Sequence, residues 1–302
     1  MKKDFLKMSD LTKDELLSLI ELAEKLKFEN KNGIPHEILK GKTLGMIFEK
    51  SSTRTRVSFE VGIYQLGGQG LFLSSKDTQL GRGEPIKDTA RVLSRYIDGI
   101  MIRTFGQEIV EELAKYSSIP VINALTDYAH PCQVLADLLT IKEHKGGFEN
   151  RKMCYIGDGN NMANSLIVGG LLAGMDVAIA TPDEYRPHPE VLDFAKAYGS
   201  KFVLTNNIFE AAEDADAVFT DVWSSMGMES EIEKRKIAFD GYQINDKLMA
   251  KAKKDAMVQH CLPAHRGEEI TDEVLEAHAN EIFDEAENRL HAQKAVMATL
   301  MK

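Results

Sequence analysis

Positive charge is in short supply: 37 Lys and Arg stand against 47 Asp and Glu, a formal net charge of −10 over 302 residues. A nucleic-acid or anionic-membrane partner needs a basic face, so this balance argues against both, and any anionic ligand has to be met by a local cluster of cations. Cysteine is scarce as well. Cys132, Cys154 and Cys261 lie far apart and form no CxxC, which suggests neither a disulfide framework nor a zinc knuckle. Long apolar runs are missing: the start MKKDFLKMSDLTKDELL has no stretch of signal-peptide length, and nothing approaches the roughly 20 apolar residues of a membrane span. A cytoplasmic location is expected. Low-complexity tracts and short-period repeats are also lacking. What remains, 43% hydrophobic and 28% charged residues, is the composition of a globular chain, and its length suits two domains or one large one.

The pattern along the chain alternates strand and helix. After a capped amphipathic helix in SDLTKDELLSLIELAEKLKFEN, strand-like TLGMIFE, GLFLS, DGIMIRT and PVINA are separated by helix-like VSFEVGIYQLG, IKDTARVLSRY and EIVEELAKYS. A helix starting near His130 and Pro131 runs to about His144, and KGGFEN then breaks the pattern. The alternation restarts with strands KMCYIGD, DVAIATP, KFVLTN, DAVFTDV and AMVQHCLP. The expected fold class is α/β, in two domains, each a parallel sheet covered by helices on both faces. The boundaries expected are 1–145 and 146–286, with a last helix at 287–302 packing back on the first domain.

Ligands of open parallel sheets bind beyond the carboxyl ends of the strands, and the unusual polar clusters fall there, as though their loops converged on one cleft. SSTRTR at 51–56 places Arg54 and Arg56 where a helix begins, the end at which backbone N–H groups already carry partial positive charge. An anion resolves that conflict: the hydroxyls of Ser52, Thr53 and Thr55, the unused helix donors and an arginine fork make a phosphate cradle. One of the two arginines is free to pair instead with a carboxylate such as Glu60, and a solvated basic helix start is the plainer alternative. In HPCQ, proline suits the first helical turn, which leaves His130 just outside and Gln133 inside, both able to donate to a carbonyl oxygen. Arg103, closing DGIMIRT, offers a further donor unless it is an ordinary surface-paired arginine.

HCLPAHRG sets Cys261 beside His260 and His265, too few ligands for a structural zinc site, so Cys261 reads as a pocket residue and no metal is expected. GDGNN matches only two glycines of a dinucleotide fingerprint, with Met162 in the third place, and a nicotinamide-dependent dehydrogenase would leave SSTRTR and HCLP unexplained. DVWSSMG puts Asp221 at a strand end, able to meet an ammonium, ahead of a Gly-containing loop suited to closing over a ligand.

Taken together, STRTR, HPCQ, DVWSSMG, HCLPAHRG and the closing FDEAENRLHAQKAVM, in that order, resemble the aspartate/ornithine carbamoyltransferase family on its ornithine side, over essentially the whole chain. The resemblance implies a first domain for carbamoyl phosphate and a second for L-ornithine, active sites at trimer interfaces, citrulline and phosphate as products, and no cofactor. Carried over by motif, it implies that Ser52, Thr53, Arg54, Thr55 and Arg103 bind phosphate. His130, Gln133, Cys261, the backbone of Leu262, and Arg289 in AENRLH then address the carbamoyl group. Gln79 in DTQLGRGEP matches a loop that reaches a neighbouring subunit, and Asn161, Asp221, Ser225 and Met226 match the ornithine contacts. Arg54, Arg103, His130, Cys261 and Asp221 are the expected catalytic set. A sister enzyme acting on putrescine or N-acetylornithine is the alternative, and the SMG loop favours ornithine.

Overall fold

The computed structural model describes residues 3–76, 78–224 and 229–302. Two compact units are present, one of Met1–Leu139 with Glu287–Lys302, the other of Thr140–Ala286. Along the first half run α1 (Lys13–Lys31), β1 (Thr43–Phe48), α2 (Thr53–Gln65), β2 (Gln69–Ser74), α3 (Ile86–Leu93), β3 (Gly99–Arg103), α4 (Gln107–Tyr116), β4 (Val121–Leu125) and α5 (Pro131–Lys145). After them come β5 (Lys152–Ile156), α6 (Asn161–Ala173), β6 (Asp176–Ala180), α7 (Pro189–Lys196), β7 (Phe202–Thr205), α8 (Ile208–Ala212) and β8 (Ala217–Thr220). The chain closes with α9 (Ile232–Ala238), α10 (Asp246–Met249), β9 (Met257–His260), α11 (Asp272–Ala277) and α12 (Ala279–Leu300).

All nine strands expected from sequence form, and every pairing is parallel. Central strands such as β3 are buried at each position, as near-continuous apolar runs require when both faces of a sheet are covered. Side chains of the strands pack with the flanking helices around Ile47, Ile100 and Leu113 in the first unit and around Ile156, Val218 and Val258 in the second. Helix α1 is capped where its sequence suggests, with Thr12 Oγ1 accepting from the Glu15 N–H while the Glu15 carboxylate accepts from the Thr12 N–H. Three elements depart from expectation. Helix α12 starts at Ala279 rather than Glu287, and the short helices α9 and α11 stand where no element was read.

The strand orders locate the functional ends. The first sheet runs β2-β1-β3-β4 and the second β7-β6-β5-β8-β9. In each, the chain builds outward from one strand and then crosses to that strand's other side, so the reversal lies between β1 and β3 and again between β5 and β8. Connections leaving adjacent strands on opposite faces open a crevice at their carboxyl ends. SSTRTR and Arg103 flank the first reversal, GDGNN and Asp221 the second. Among the described residues no helix is long and apolar enough to cross a membrane.

Candidate active site

The first cluster is assembled by four elements of the first unit. Ser52 is the N-cap of α2, its Oγ accepting from the Thr55 N–H at 3.2 Å, so the hydroxyl run sits on the first turn because the turn needs a cap. Arg56 turns away from that turn: its Nε donates to Glu60 Oε2 at 3.3 Å and its guanidinium lies 3.9 Å from the Phe72 ring centroid. Arg54 and Thr53 are exposed and Thr55 is buried. Arg103 ends β3, whose carbonyl accepts from the Glu49 N–H at 2.9 Å, tying the β3 end to the β1 end. His130 stands before Pro131, its carbonyl accepting from the Gln133 and Val134 N–H groups at 3.1 and 3.3 Å as α5 begins.

From α12, buried Arg289 reaches into the same cluster. Its guanidinium donates to Gln133 Oε1 at 2.6 Å, to Thr55 Oγ1 at 3.4 Å and to Gln293 Oε1 at 2.9 Å. Gln133 passes a hydrogen bond to buried Asp137 at 2.8 Å, which fixes its amide with the oxygen toward Arg289. Gln293 in turn donates to Ser58 Oγ at 2.8 Å, and Ser58 donates to the Arg54 carbonyl at 2.6 Å. The helix that carries Arg54 and the helix that carries Arg289 are therefore braced against each other by neutral hydrogen bonds. Sequence reasoning passes over Ser58 and Gln293, partners 235 residues apart, and Asp137, which lies one helical turn from Gln133.

Burial holds the His130 pKa well below the usual imidazole range, and the positive charges of Arg289, Arg103 and Arg54 push it further down. A neutral imidazole ringed by three guanidiniums is an arrangement that gains from an anion, since the anion offsets cation–cation repulsion while the imidazole keeps one N–H to donate. Lys50, just before SSTRTR, is held elsewhere by Asp127, with its ammonium 4.3 Å from the Phe105 ring centroid. Gln79 opens a short 3-10 turn and is exposed.

The second cluster belongs wholly to the second unit. Thr220 and His260 are paired across β8 and β9, so Asp221 and Cys261 leave the sheet side by side, and the Cys261 thiol donates to Asp221 Oδ1 at 3.2 Å. The same oxygen accepts from the Val222 N–H at 2.8 Å, while Asp221 Oδ2 accepts from Asn160 Nδ2 at 3.0 Å. Asn161 opens α6 immediately after Asn160. Leu262 follows with φ 57, and its peptide bond to Pro263 is cis. Ser225 and Met226 lie outside the described residues.

Ligand atoms of Asp221, His260 and Cys261 all lie within 4.8 Å of one another, and both ring nitrogens of His260 already have protein partners. Its Nδ1 accepts from the Leu262 N–H at 2.9 Å, so the hydrogen-bond network puts the ring proton on Nε2, facing buried Glu269 at 3.0 Å. Both nitrogens are engaged in shaping the 260–262 turn. The GDGNN glycines have a packing explanation too: a Cβ on Gly159 would come within 2.3–2.4 Å of the backbone of residues 185–187. Asp158 between them pairs with Arg235 at 2.6 Å, and burial pushes its pKa up to about 6 against that pairing. Arg235 also donates to the Trp223 carbonyl at 2.9 Å, holding the strand exit two residues past Asp221.

Residues 3–143 match the family model described as the aspartate/ornithine carbamoyltransferase carbamoyl-P binding domain, and residues 149–300 match that family's Asp/Orn binding domain. The chain belongs to the aspartate/ornithine carbamoyltransferase family. An ornithine carbamoyltransferase of Syntrophotalea carbinolica is 60% identical over the full length of both chains, and one of Oceanobacillus iheyensis is 60% identical over 99% of this chain and 94% of its own. Among solved structures, the ornithine carbamoyltransferase from Pyrococcus furiosus superposes with a TM-score of 0.94 at 51% identity, covering 99% of this chain and 96% of that one. In this carbamoyltransferase Arg54, Arg103 and His130 fall inside the first matched domain and Asp221 inside the second. The family model for the first domain ends short of Arg289, which reaches the cradle from the second matched region.

Proposed function

We propose that this chain transfers the carbamoyl group of carbamoyl phosphate to the side-chain amine of L-ornithine, giving L-citrulline and phosphate. The observation that carries the reading is the neutral, buried His130 among Arg54, Arg103 and Arg289 at one sheet's reversal point. The second sheet supports it with a buried carboxylate, Asp221, at its own reversal point. In this reading residues 1–145 with helix 287–302 bind carbamoyl phosphate and residues 146–286 bind ornithine.

Ser52, Thr53, Arg54, Thr55 and Arg103 bind the phosphate, which is also the leaving group. The amine attacks the carbamoyl carbon, a tetrahedral oxyanion forms, and its collapse expels phosphate. His130 and Arg289 donate to the oxyanion as charge develops, in a site already oriented for it. Gln133, Cys261 and the backbone of Leu262 also address the carbamoyl group. Asp221 pairs with the ornithine α-ammonium, and Asn161, Ser225 and Met226 hold its carboxylate end. The attacking amine must be neutral, against an ordinary pKa of about 10.4, so the site selects or generates the minor form.

Citrulline-type product formation measured with a panel of amines tests this. Ornithine should be preferred over putrescine and N-acetylornithine by as much as about 10⁴-fold, because a site built to pair polar groups leaves its own unsatisfied when they are missing. Equal or better turnover of putrescine would promote the sister activity instead. Such an enzyme serves arginine metabolism, where citrulline is made or consumed. Three thiols with no disulfide suit the reducing cytoplasm.

The assembly proposed is a homotrimer with shared sites. Val57, Val61 and Tyr64 form an exposed apolar row on α2, and Leu71 and Phe72 are exposed on edge strand β2, a surface of the kind that a second copy covers. Gln79, exposed in the first unit, then acts in a neighbour's site. Mixing inactive Arg54→Ala chains with inactive Gln79→Ala chains should restore activity, since with random exchange about a quarter of the shared sites carry neither lesion. No recovery after proven subunit exchange, or a monomer in solution, counts against shared sites.

A further inference from the structure

We propose that Asn160 is a positioning residue for Asp221, holding the carboxylate in the orientation from which it meets the substrate's α-ammonium; this rests on the ornithine reading above. The two ends of the Asn160 amide do different work. Its Oδ1 accepts from the Met162 and Ala163 N–H groups at 2.9 and 3.3 Å, which is the N-cap of α6, and the Tyr155 hydroxyl lies 3.5 Å from the same oxygen. Because that oxygen faces backbone donors, the amide cannot be flipped, and Nδ2 necessarily points at Asp221 Oδ2, 3.0 Å away.

Asp221 is thereby held from both sides. Asn160 takes one oxygen, and the Cys261 thiol with the Val222 N–H takes the other. Three donors converge on a carboxylate that is 93% buried by its 7% exposure, where an anion is tolerated only with such company. The consequence is a rigid link between α6, whose first residue is Asn161, and the carboxylate after β8. One side chain sets both the aim of the acid and the start of the helix that carries its neighbour. The ionisable groups facing this centre are Tyr155 from β5, Asp158 with Arg235 from the following turn and α9, and His260, Cys261 and Glu269 from β9 and beyond.

Substitution separates positioning from capping. Aspartate caps a helix about as well as asparagine and serine nearly so, but neither offers Asp221 the amide donor. Asn160→Asp should keep α6 and leave the Kd for carbamoyl phosphate within about 2-fold, while the KM for ornithine rises about 30-fold or more, a loss of substrate-end binding. Two carboxylates in that contact share a proton, so the acidic limb of the kcat/KM profile for ornithine should move up by about one pH unit or more. Asn160→Ser, uncharged and still a cap, should raise the ornithine KM about 10-fold without moving that limb, and it serves as the readout if Asn160→Asp does not fold. An ornithine KM within about 2-fold of wild type and a superimposable pH profile in Asn160→Asp would show that Asn160 is only a cap. Asp221→Asn, measured alongside, keeps the two ideas apart: if it turns ornithine over normally, the ornithine reading itself fails, whereas loss there with a silent Asn160→Asp overturns the positioning role alone.

Discussion

Arg54→Ala should lower kcat/KM for carbamoyl phosphate by about 10²–10³, the range for removing one preorganised donor from developing charge. It should do so without loss of stability. Arg54 is exposed on the first turn of α2, where a cation opposes the helix dipole, so its removal is neutral or stabilising by about 0.3–1 kcal/mol. A residue that works against its own helix yet is required for turnover is the signature of a ligand site rather than of packing. The same variant carries an electrostatic readout. Arg54 is one of three cations that hold His130 down, so the imidazole should titrate higher in the free variant, closer to its ordinary value. A folded Arg54→Ala protein with near-normal turnover and carbamoyl phosphate affinity would remove the cradle from the mechanism.

Asp221→Asn should abolish most ornithine turnover, by about 10³–10⁴ in kcat/KM, while carbamoyl phosphate still binds. The loss has two sources. The α-ammonium no longer meets a charge, and the new amide sets its own N–H₂ group against the donor of Asn160 or of Cys261, since Asp221 now accepts from both. Putrescine, which has no α-ammonium or α-carboxylate to place, should lose far less, so the preference between the two amines should narrow sharply. An Asp221→Asn enzyme that keeps its ornithine preference would put the amino-acid end of the substrate elsewhere.

Much of this was legible in the sequence because the signals are local. The nine strands are short runs bounded by turn residues, and central ones such as β3, buried on both faces, read as near-continuous apolar stretches. The capping logic of Thr12 and Ser52 spans three residues, and the clash of two arginines with a helix start is visible in six letters. Which arginine turns aside depends on the fold, which sets Arg56 against Glu60 and Phe72. The start of α12 was set too late because HANEIFDEAEN lacks the apolar period of the later turns, and Phe283 there is exposed. Helices α9 and α11 are too short for periodicity to declare them. The roles of Asn160, Gln293 and Glu269 depend on side chains that only the fold brings near, namely Asp221, Ser58 and His260, whereas Asp137 supports Gln133 from one turn along the same helix, a spacing with no chemical signature of its own. Gln79 sits in an exposed turn, and the role proposed for it depends on a second chain.

One feature of the second unit has a use outside catalysis. The chain holds a single tryptophan, Trp223, two residues beyond Asp221. Its side chain is buried at 8% exposure, its ring stacks on Phe239 with centroids 6.1 Å apart, and its carbonyl is held by Arg235. Indole emission depends on the polarity and mobility around the ring, so the protein carries an intrinsic optical probe two residues from Asp221, with no second indole to blur it. Any displacement of the strand exit on binding an amine is thereby reported in real time, from a known position, without a label.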